Sequence, residues 1–283
     1  MKLHDSRACA LGEGSLWHPE RQTLYWFDIL GKKMLGQSET GPQEWQFDEH
    51  VSAAGWIDAE RVLVASETGL WEFNLATGAR ARVAELEAQN PVTRSNDGRA
   101  DPWGGFWIGT MGKNAEAGAG AIYRYYRGAL QQLYAKAHIP NAICFAPDRS
   151  CAYFTGLEDG LVMRQPLEPA DGWPAGAPEI FLDLRGAAGE PDGAVTDASG
   201  TFWIARWGGA CVSAFAPDGT HLRDIALPAA QITCPAFGGP ALRDLYVTSA
   251  TDGLAQPSGF EHDGRTFLLE GLAQGLPEPR VIL

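Results

Sequence analysis

The chain has 283 residues, enough for one large domain or two small ones, and with 45% hydrophobic and 20% charged residues it is not a disordered chain. Its formal net charge of −13 excludes a basic face that binds the nucleic-acid backbone, and it disfavours attraction to anionic membranes. The 34 glycines and 10 tryptophans point to many turns between short strands.

The sequence predicts neither a membrane helix nor a secretory signal. No apolar run approaches the roughly 18 residues of a membrane helix, and residues 1–13 lack the apolar stretch of a secretory signal. The five cysteines are odd in number and widely spaced, without a C-x-x-C pair, which is typical of reduced thiols. We therefore expect a cytoplasmic protein with neither a nucleic-acid nor a membrane partner.

Short segments rich in aromatic and β-branched residues recur along the chain. They are residues 23–28, 61–65, 105–109, 151–155, 201–205 and 244–248. Their spacing averages about 44 residues, which is typical of a propeller blade. Most follow a turn containing Asp, Pro or Gly and are followed by another strand and another turn, so the visible unit is strand–turn–strand–turn–strand.

Helical patterns are weak. Residues 84–89 are compatible with a single helical turn, which Pro91 would end. Six units account for the whole chain, so we predict an all-β fold, a six-bladed β-propeller that forms one domain over residues 1–283. Residues 168–179, rich in Pro, Ala and Gly, are predicted to be a long loop within blade four or five.

Four polar residues precede predicted strands at nearly equal distances of 11 or 12 residues. They are Glu13, Asn96, Asn141 and Asp192. Equivalent positions in a propeller face the same axis, so these side chains should converge in the central channel. Two carboxylates and an amide oxygen suit a hard or borderline divalent cation, with open positions left for water and substrate.

Simpler interpretations of the same residues stay open. The Asn-Asp-Gly at 96–98 and the Pro-Asp-Gly at 191–193 are typical of ordinary turns, and Glu13 between two glycines is typical of a solvated residue. The six histidines are scattered, and there is no G-x-S-x-G elbow, P-loop or G-x-G-x-x-G. The shared position of the four polar residues relative to the strands favours the metal site.

Several longer blocks resemble the regucalcin, gluconolactonase and luciferin-regenerating enzyme family, and within it the bacterial lactonases of pentose and hexose oxidation. These blocks are residues 12–17 (GEGSLW), 94–111, 120–124, 140–148, 190–205, 237–239 and 245–250. The resemblance implies that Glu13, Asn141 and Asp192 bind one divalent metal ion, Ca²⁺ or Zn²⁺, with Mn²⁺ or Fe²⁺ as alternatives. It also implies that Arg94 and Asn96 contact the substrate, together with the acid Glu116.

Two positions differ from the family pattern. Ala142 stands where many members have Gly, and Thr155-Gly156-Leu157 replaces a stretch that contains Asp. If that Asp supports the metal from outside its ligand shell, this chain should bind metal more weakly or recognise its substrate differently.

The predicted function is metal-dependent hydrolysis of a small-molecule sugar lactone to its aldonic acid. Asp192 is the candidate general base, the cation polarises the lactone carbonyl, and Arg94 and Asn96 bind substrate oxygens. Two alternatives stay open: an aryl-ester or phosphotriester hydrolase on the same scaffold, and a non-catalytic Ca²⁺-binding regulator. A monomer or weak homodimer is expected.

Overall fold

The computed structural model describes residues 1–38, 40–255 and 258–283. Its strands form six four-stranded antiparallel sheets, which confirms the predicted all-β six-bladed propeller. Within those ranges, no helical segment has the length and apolarity that spanning a bilayer requires.

Each blade runs outward from an innermost strand that faces the channel. Blade one contains β2 (Gly12–His18), β3 (Thr23–Asp28), β4 (Lys33–Ser38) and β5 (Gly41–Gln46). Blade two contains β6 (Val51–Trp56), β7 (Arg61–Ser66), β8 (Gly69–Asn74) and β9 (Arg80–Glu85). Blade three contains β10 (Thr93–Ala100), β11 (Phe106–Gly112), β12 (Gly120–Tyr126) and β13 (Ala129–Ala137).

The second half of the ring repeats this order. Blade four contains β14 (Cys144–Phe145), β15 (Cys151–Phe154), β16 (Leu161–Pro166) and β17 (Glu179–Asp183). Blade five contains β18 (Glu190–Thr196), β19 (Phe202–Trp207), β20 (Cys211–Phe215) and β21 (His221–Ala226). Blade six contains β22 (Gln231–Gly238), β23 (Asp244–Ala250), β24 (Thr266–Leu269) and the N-terminal β1 (Lys2–Asp5).

The N-terminal strand closes the ring. Because β1 pairs with β24, the first residues of the chain complete the blade made by its last strands. The loop predicted at 168–179 lies between β16 and β17, inside blade four, except that its last residue, Glu179, begins β17.

The segments recognised from the sequence are the second strands of the blades, and their large side chains form the packing between blades. Trp26, Trp107 and Trp203 are each no more than 2% exposed. Removing such an aromatic side chain typically costs 3–5 kcal/mol, so these residues hold neighbouring blades in place. A rigid ring of this kind can present residues from distant blades at fixed positions in the channel.

The strands predicted to follow the polar residues are the second strands of their blades, and the innermost strands were not predicted. Glu13, Asn96 and Asp192 lie on the innermost strands β2, β10 and β18 themselves. These strands escaped recognition because Gly, Asn, Asp and Pro are rare in strands and because each strand is interrupted by a β-bulge.

Candidate active site

The bulges of the innermost strands place the polar side chains in the channel. The strand register shifts between Glu13 and Leu16 in blade one, and at the corresponding points 95–98 in blade three and 191–194 in blade five. A bulge re-aims a side chain by adding a residue to one strand of a pair. Here it turns Glu13, Asn96 and Asp192 toward a common point.

The backbone beside Glu13 has the conformation that the bulge requires. Gly14 has a φ of +59°, and a Cβ at this position would lie 2.1 Å from the carbonyl oxygen of Ser52 in blade two. Glycine is therefore required at residue 14, both for its left-handed backbone and for the close approach of the next blade. The Gly-Glu-Gly sequence thus serves the site and does not mark a solvated turn.

A cavity of about 600 Å³ opens at the end of the channel where the innermost strands begin. Five of the six predicted site residues line it: Glu13, Arg94, Asn96, Asn141 and Asp192. All five side chains are buried, with residue exposures of 4% to 7%. The size of the cavity suits a small ligand.

A chain of hydrogen bonds orients the amides of the cavity. Arg94 Nη1 donates to Asn96 Oδ1 at 2.8 Å, and Asn96 Nδ2 donates to Asn141 Oδ1 at 2.8 Å and to the Pro140 carbonyl at 3.0 Å. Since an amide oxygen has two lone pairs, Asn141 Oδ1 keeps one for a further partner.

The two carboxylates are buried together, and this changes their protonation. Burial raises the pKa of Glu13, and the negative charge of Asp97 raises it further. The pKa of Asp192 is also well above its ordinary range, first because of burial and then because of Glu13 and Asp97. Two like charges in a buried site cannot both ionise easily without a cation.

Asp97 is a site residue that the sequence analysis missed, because it was taken only as part of a turn. Its side chain is 7% exposed, and its Oδ2 accepts a hydrogen bond from the Ile143 amide at 2.8 Å. Burial raises the pKa of Asp97 to about 6. The residue adds negative charge behind the carboxylate pair and anchors the segment that follows Asn141.

The donor set fits a divalent cation. Two buried carboxylates and a free amide lone pair provide oxygen ligands of the kind that such cations prefer. In the described part of the chain, no three His, Cys, Asp or Glu side chains form a metal-binding group.

Glu116 is the predicted residue that the structure does not bring into the cavity. Its two carboxylate oxygens accept hydrogen bonds from the backbone and side-chain nitrogens of Asn114, each at 3.0 Å, and these bonds lower its pKa. Asn114 lines the cavity, as do its neighbours Lys113 and Ala115. Glu116 is therefore placed to hold this loop.

His138 joins two loops at the edge of the cavity. Its Nδ1 lies 2.7 Å from Asp159 Oδ1, and its Nε2 lies 3.1 Å from the Ala115 carbonyl oxygen. The hydrogen bond with Asp159 is the main cause of the raised pKa of His138. The sequence analysis did not predict these partners of His138, which are 21 and 23 residues away along the chain.

Comparisons with known proteins show which family this chain resembles. The family described as SMP-30/Gluconolactonase/LRE-like region matches residues 11–251. An L-arabinolactonase from Azospirillum brasilense is 35% identical and covers 98% of this chain and 94% of its own. A 6-deoxy-6-sulfogluconolactonase from Pseudomonas putida is 34% identical over 86% of this chain and 84% of its own.

A solved structure shares both fold and sequence. The crystal structure of a calcium-binding protein, regucalcin from Agrobacterium tumefaciens, superposes with a TM-score of 0.96 at 39% identity, covering 99% of this chain and 97% of that one. The family match spans most of the chain, and these relatives align over nearly all of it. This chain therefore belongs to the SMP-30/gluconolactonase/LRE-like family.

Proposed function

We propose that this protein is an enzyme that hydrolyses a sugar lactone to the open aldonic acid with the help of one divalent cation. The observation that carries the proposal is that Glu13, Asp192 and Asn141 are buried beside Arg94 in one cavity. The relatives named as lactonases of arabinose and sulfogluconate lactones support the substrate class.

Glu13, Asn141 and Asp192 would hold the cation, because they supply two carboxylates and an amide oxygen. When bound, the cation supplies Lewis acidity at the lactone carbonyl. Calcium is supported by the description of the regucalcin relative as a calcium-binding protein, and zinc, manganese and iron(II) are the alternatives.

Arg94 and Asn96 would bind the sugar. One nitrogen of Arg94 is engaged by Asn96 Oδ1 and the Ser95 carbonyl, which fixes the plane of the guanidinium group. Its remaining donors can serve ring and hydroxyl oxygens of a polyol. Glu116 would act on the substrate through Asn114, which it holds at the cavity wall.

Asp192 would act as the general base. Its carboxylate lies in the same cavity as the proposed substrate-binding side chains, and in its ionised form it can accept a proton. It takes a proton from the water whose oxygen bonds to the lactone carbonyl carbon. The ring C–O bond then breaks, the ring oxygen takes the proton from Asp192 and becomes a hydroxyl, and the new carboxylic acid ionises on release.

A second candidate function is calcium binding without catalysis, since the regucalcin relative is described as a calcium-binding protein. The aryl-ester and phosphotriester alternatives are less well supported, because the cavity contains a chain of amides and a guanidinium suited to hydroxyl groups. We further propose a cytoplasmic location, because the five cysteines are all free and four of them are buried, which suits a reducing compartment.

The test is hydrolysis of a panel of aldonolactones, followed with a pH indicator and corrected for spontaneous hydrolysis. Protein stripped of metal should be inactive and should recover with Ca²⁺, Zn²⁺, Mn²⁺ or Fe²⁺. Tight metal binding with no lactone hydrolysis would favour the calcium-binding alternative. The absence of both metal binding and hydrolysis would reject the proposal altogether.

A further inference from the structure

Asn141 is held differently from the other two proposed ligands. Glu13 and Asp192 lie on innermost strands of 7 residues each, β2 and β18. The innermost strand of blade four, β14, has only 2 residues and begins after Asn141, at Cys144. Asn141 therefore lacks the continuous pairing with a second strand that fixes the backbone of a strand residue.

Thr155 supplies the missing contacts. It follows β15, the second strand of blade four, and is 4% exposed. The backbone N–H of Asn141 donates to Thr155 Oγ1 at 2.9 Å, and the backbone N–H of Thr155 donates to the backbone carbonyl of Asn141 at 2.8 Å. The hydroxyl of Thr155 also donates to the Ile139 carbonyl at 3.3 Å.

These contacts use the threonine hydroxyl as both acceptor and donor. A hydroxyl with one fixed donor and one fixed acceptor has little rotational freedom, so it holds both partners at a defined geometry. The segment needs such restraint because the next residue, Ala142, has a φ of +58°, a conformation that is unfavourable for alanine. Asp97 holds the far side of the same segment through the Ile143 amide.

Gly156 makes the contact between these segments possible. Its φ is +102°, and a Cβ there would lie 2.8 Å from the Cα of Pro140. Only glycine lets the chain after Thr155 pack directly against residues 139 and 140. Both Thr155 and Gly156 belong to the segment that differs from the family pattern, so the difference is accompanied by specific support for Asn141.

We propose that Thr155 is a positioning residue for metal binding: its hydroxyl fixes the backbone of Asn141 so that the amide oxygen faces Glu13 and Asp192. This rests on the proposed function only in so far as Asn141 binds the cation. It gives the segment 155–157 a supporting role, whereas the sequence analysis expected weaker metal binding or a different substrate; that expectation stays a prediction.

The decisive change is Thr155→Val, which keeps the shape of the side chain and removes the hydroxyl. We expect the dissociation constant for Ca²⁺ or Zn²⁺ to rise by about 10-fold or more, as is usual when support outside the ligand shell is lost. Thr155→Ser keeps the hydroxyl, so this variant should retain a metal affinity within about 3-fold of wild type. The lactone KM should change less than kcat, because Thr155 acts through Asn141.

The matched control is Thr196→Val. Thr196 is also buried, at 5% exposure, and its hydroxyl donates to the Phe145 carbonyl at 2.7 Å, away from the cavity. This variant should lose stability without losing metal affinity. Calorimetric titration of metal-stripped proteins with Ca²⁺ and with Zn²⁺ measures the affinities, and thermal unfolding measures stability.

Wild-type metal affinity in Thr155→Val would overturn the proposal, and so would an equal loss of affinity in Thr196→Val. If Thr155→Val does not fold, Thr155→Ala and Thr155→Ser decide the matter, and equal affinities in these two would overturn it. A wild-type protein that binds metal but hydrolyses no lactone would defeat the proposed reaction and leave this test intact. A wild-type protein that binds neither ion would defeat both.

Discussion

The buried pair Glu13 and Asp192 makes the stability of the metal-free protein depend on pH in an unusual direction. The pKa of each carboxyl is raised in the folded protein, chiefly by burial. Once the pH exceeds the ordinary glutamate pKa of 4.5, the unfolded state has lost a proton that the folded state still holds. The free energy of unfolding must then fall as the pH rises through this range.

The size of the effect follows from the proton count. One extra proton in the folded state gives a slope of about 1.4 kcal/mol per pH unit, or roughly 2.7 kcal/mol between pH 5.5 and 7.5. A chain of 283 residues has an unfolding entropy near 0.6 kcal/mol per degree, so the melting temperature should fall by about 5 °C. Saturating Ca²⁺ or Zn²⁺ should remove most of this fall, because the metal-bound carboxylates are ionised at both pH values.

The assay is thermal unfolding of chelator-treated protein at several pH values, repeated with 1 mM metal. Asp192→Asn removes one charge of the pair and should flatten the slope and abolish the stabilisation by metal. Glu60→Gln is the matched control, since Glu60 is exposed and lies in the turn between β6 and β7, far from the cavity. A metal-free stability that is constant or rises from pH 5.5 to 7.5 would refute the reasoning.

Four further predictions concern single residues. Asp192→Ala should abolish lactone hydrolysis and weaken metal binding together, and full activity in this variant would remove Asp192 as the base. Arg94→Ala should raise KM about 10-fold or more with a smaller change in kcat, because a charged donor to substrate is worth about 1.5–3 kcal/mol; unchanged kinetics would exclude a role in substrate binding. His138→Gln should destabilise the protein by less than about 1 kcal/mol, since Asp159 is 74% exposed. The raised pKa of His138 means that this stabilisation is complete below its ordinary pKa of 6.5 and is lost as the pH rises through the raised value, so the difference between variant and wild type in urea unfolding should be smaller at pH 9 than at pH 6. Gly14→Ala should cost about 2 kcal/mol or more, because its Cβ would lie 2.1 Å from a backbone oxygen at a φ of +59°, and a wild-type urea midpoint would contradict this.

The blade pattern could be predicted from the sequence because it depends on local chemistry. Strands such as Thr23–Asp28 and Phe202–Trp207 carry aromatic and β-branched residues at a regular spacing, bounded by turn residues. The repetition of this unit was sufficient to predict six blades. It was also sufficient to predict that Glu13, Asn141 and Asp192 meet, because residues at equal positions in successive blades face one axis.

Two of the missed features depend on contacts between residues that are distant in sequence, and the third depends on the local geometry of a loop. The N-terminal strand β1 completes blade six by pairing with β24, and no local pattern encodes that partner. Asp97 was interpreted only as part of a turn, Asn-Asp-Gly. Its side chain accepts a hydrogen bond from the backbone N–H of Ile143, 46 residues away along the chain. Glu116 was expected to contact the substrate, yet its carboxylate binds Asn114 and does not line the cavity.

Thr155 shows what the sequence can predict and what it cannot. The sequence showed only that residues 155–157 differ from the family pattern, from which weaker metal binding or different substrate recognition was expected. Whether a hydroxyl supports a ligand depends on which backbone groups pack against it, and that is determined by the short innermost strand of blade four. Periodicity along the chain determined the ring and the approximate place of the site, while tertiary packing alone determined which groups hold the proposed ligands and which carboxyls retain a proton.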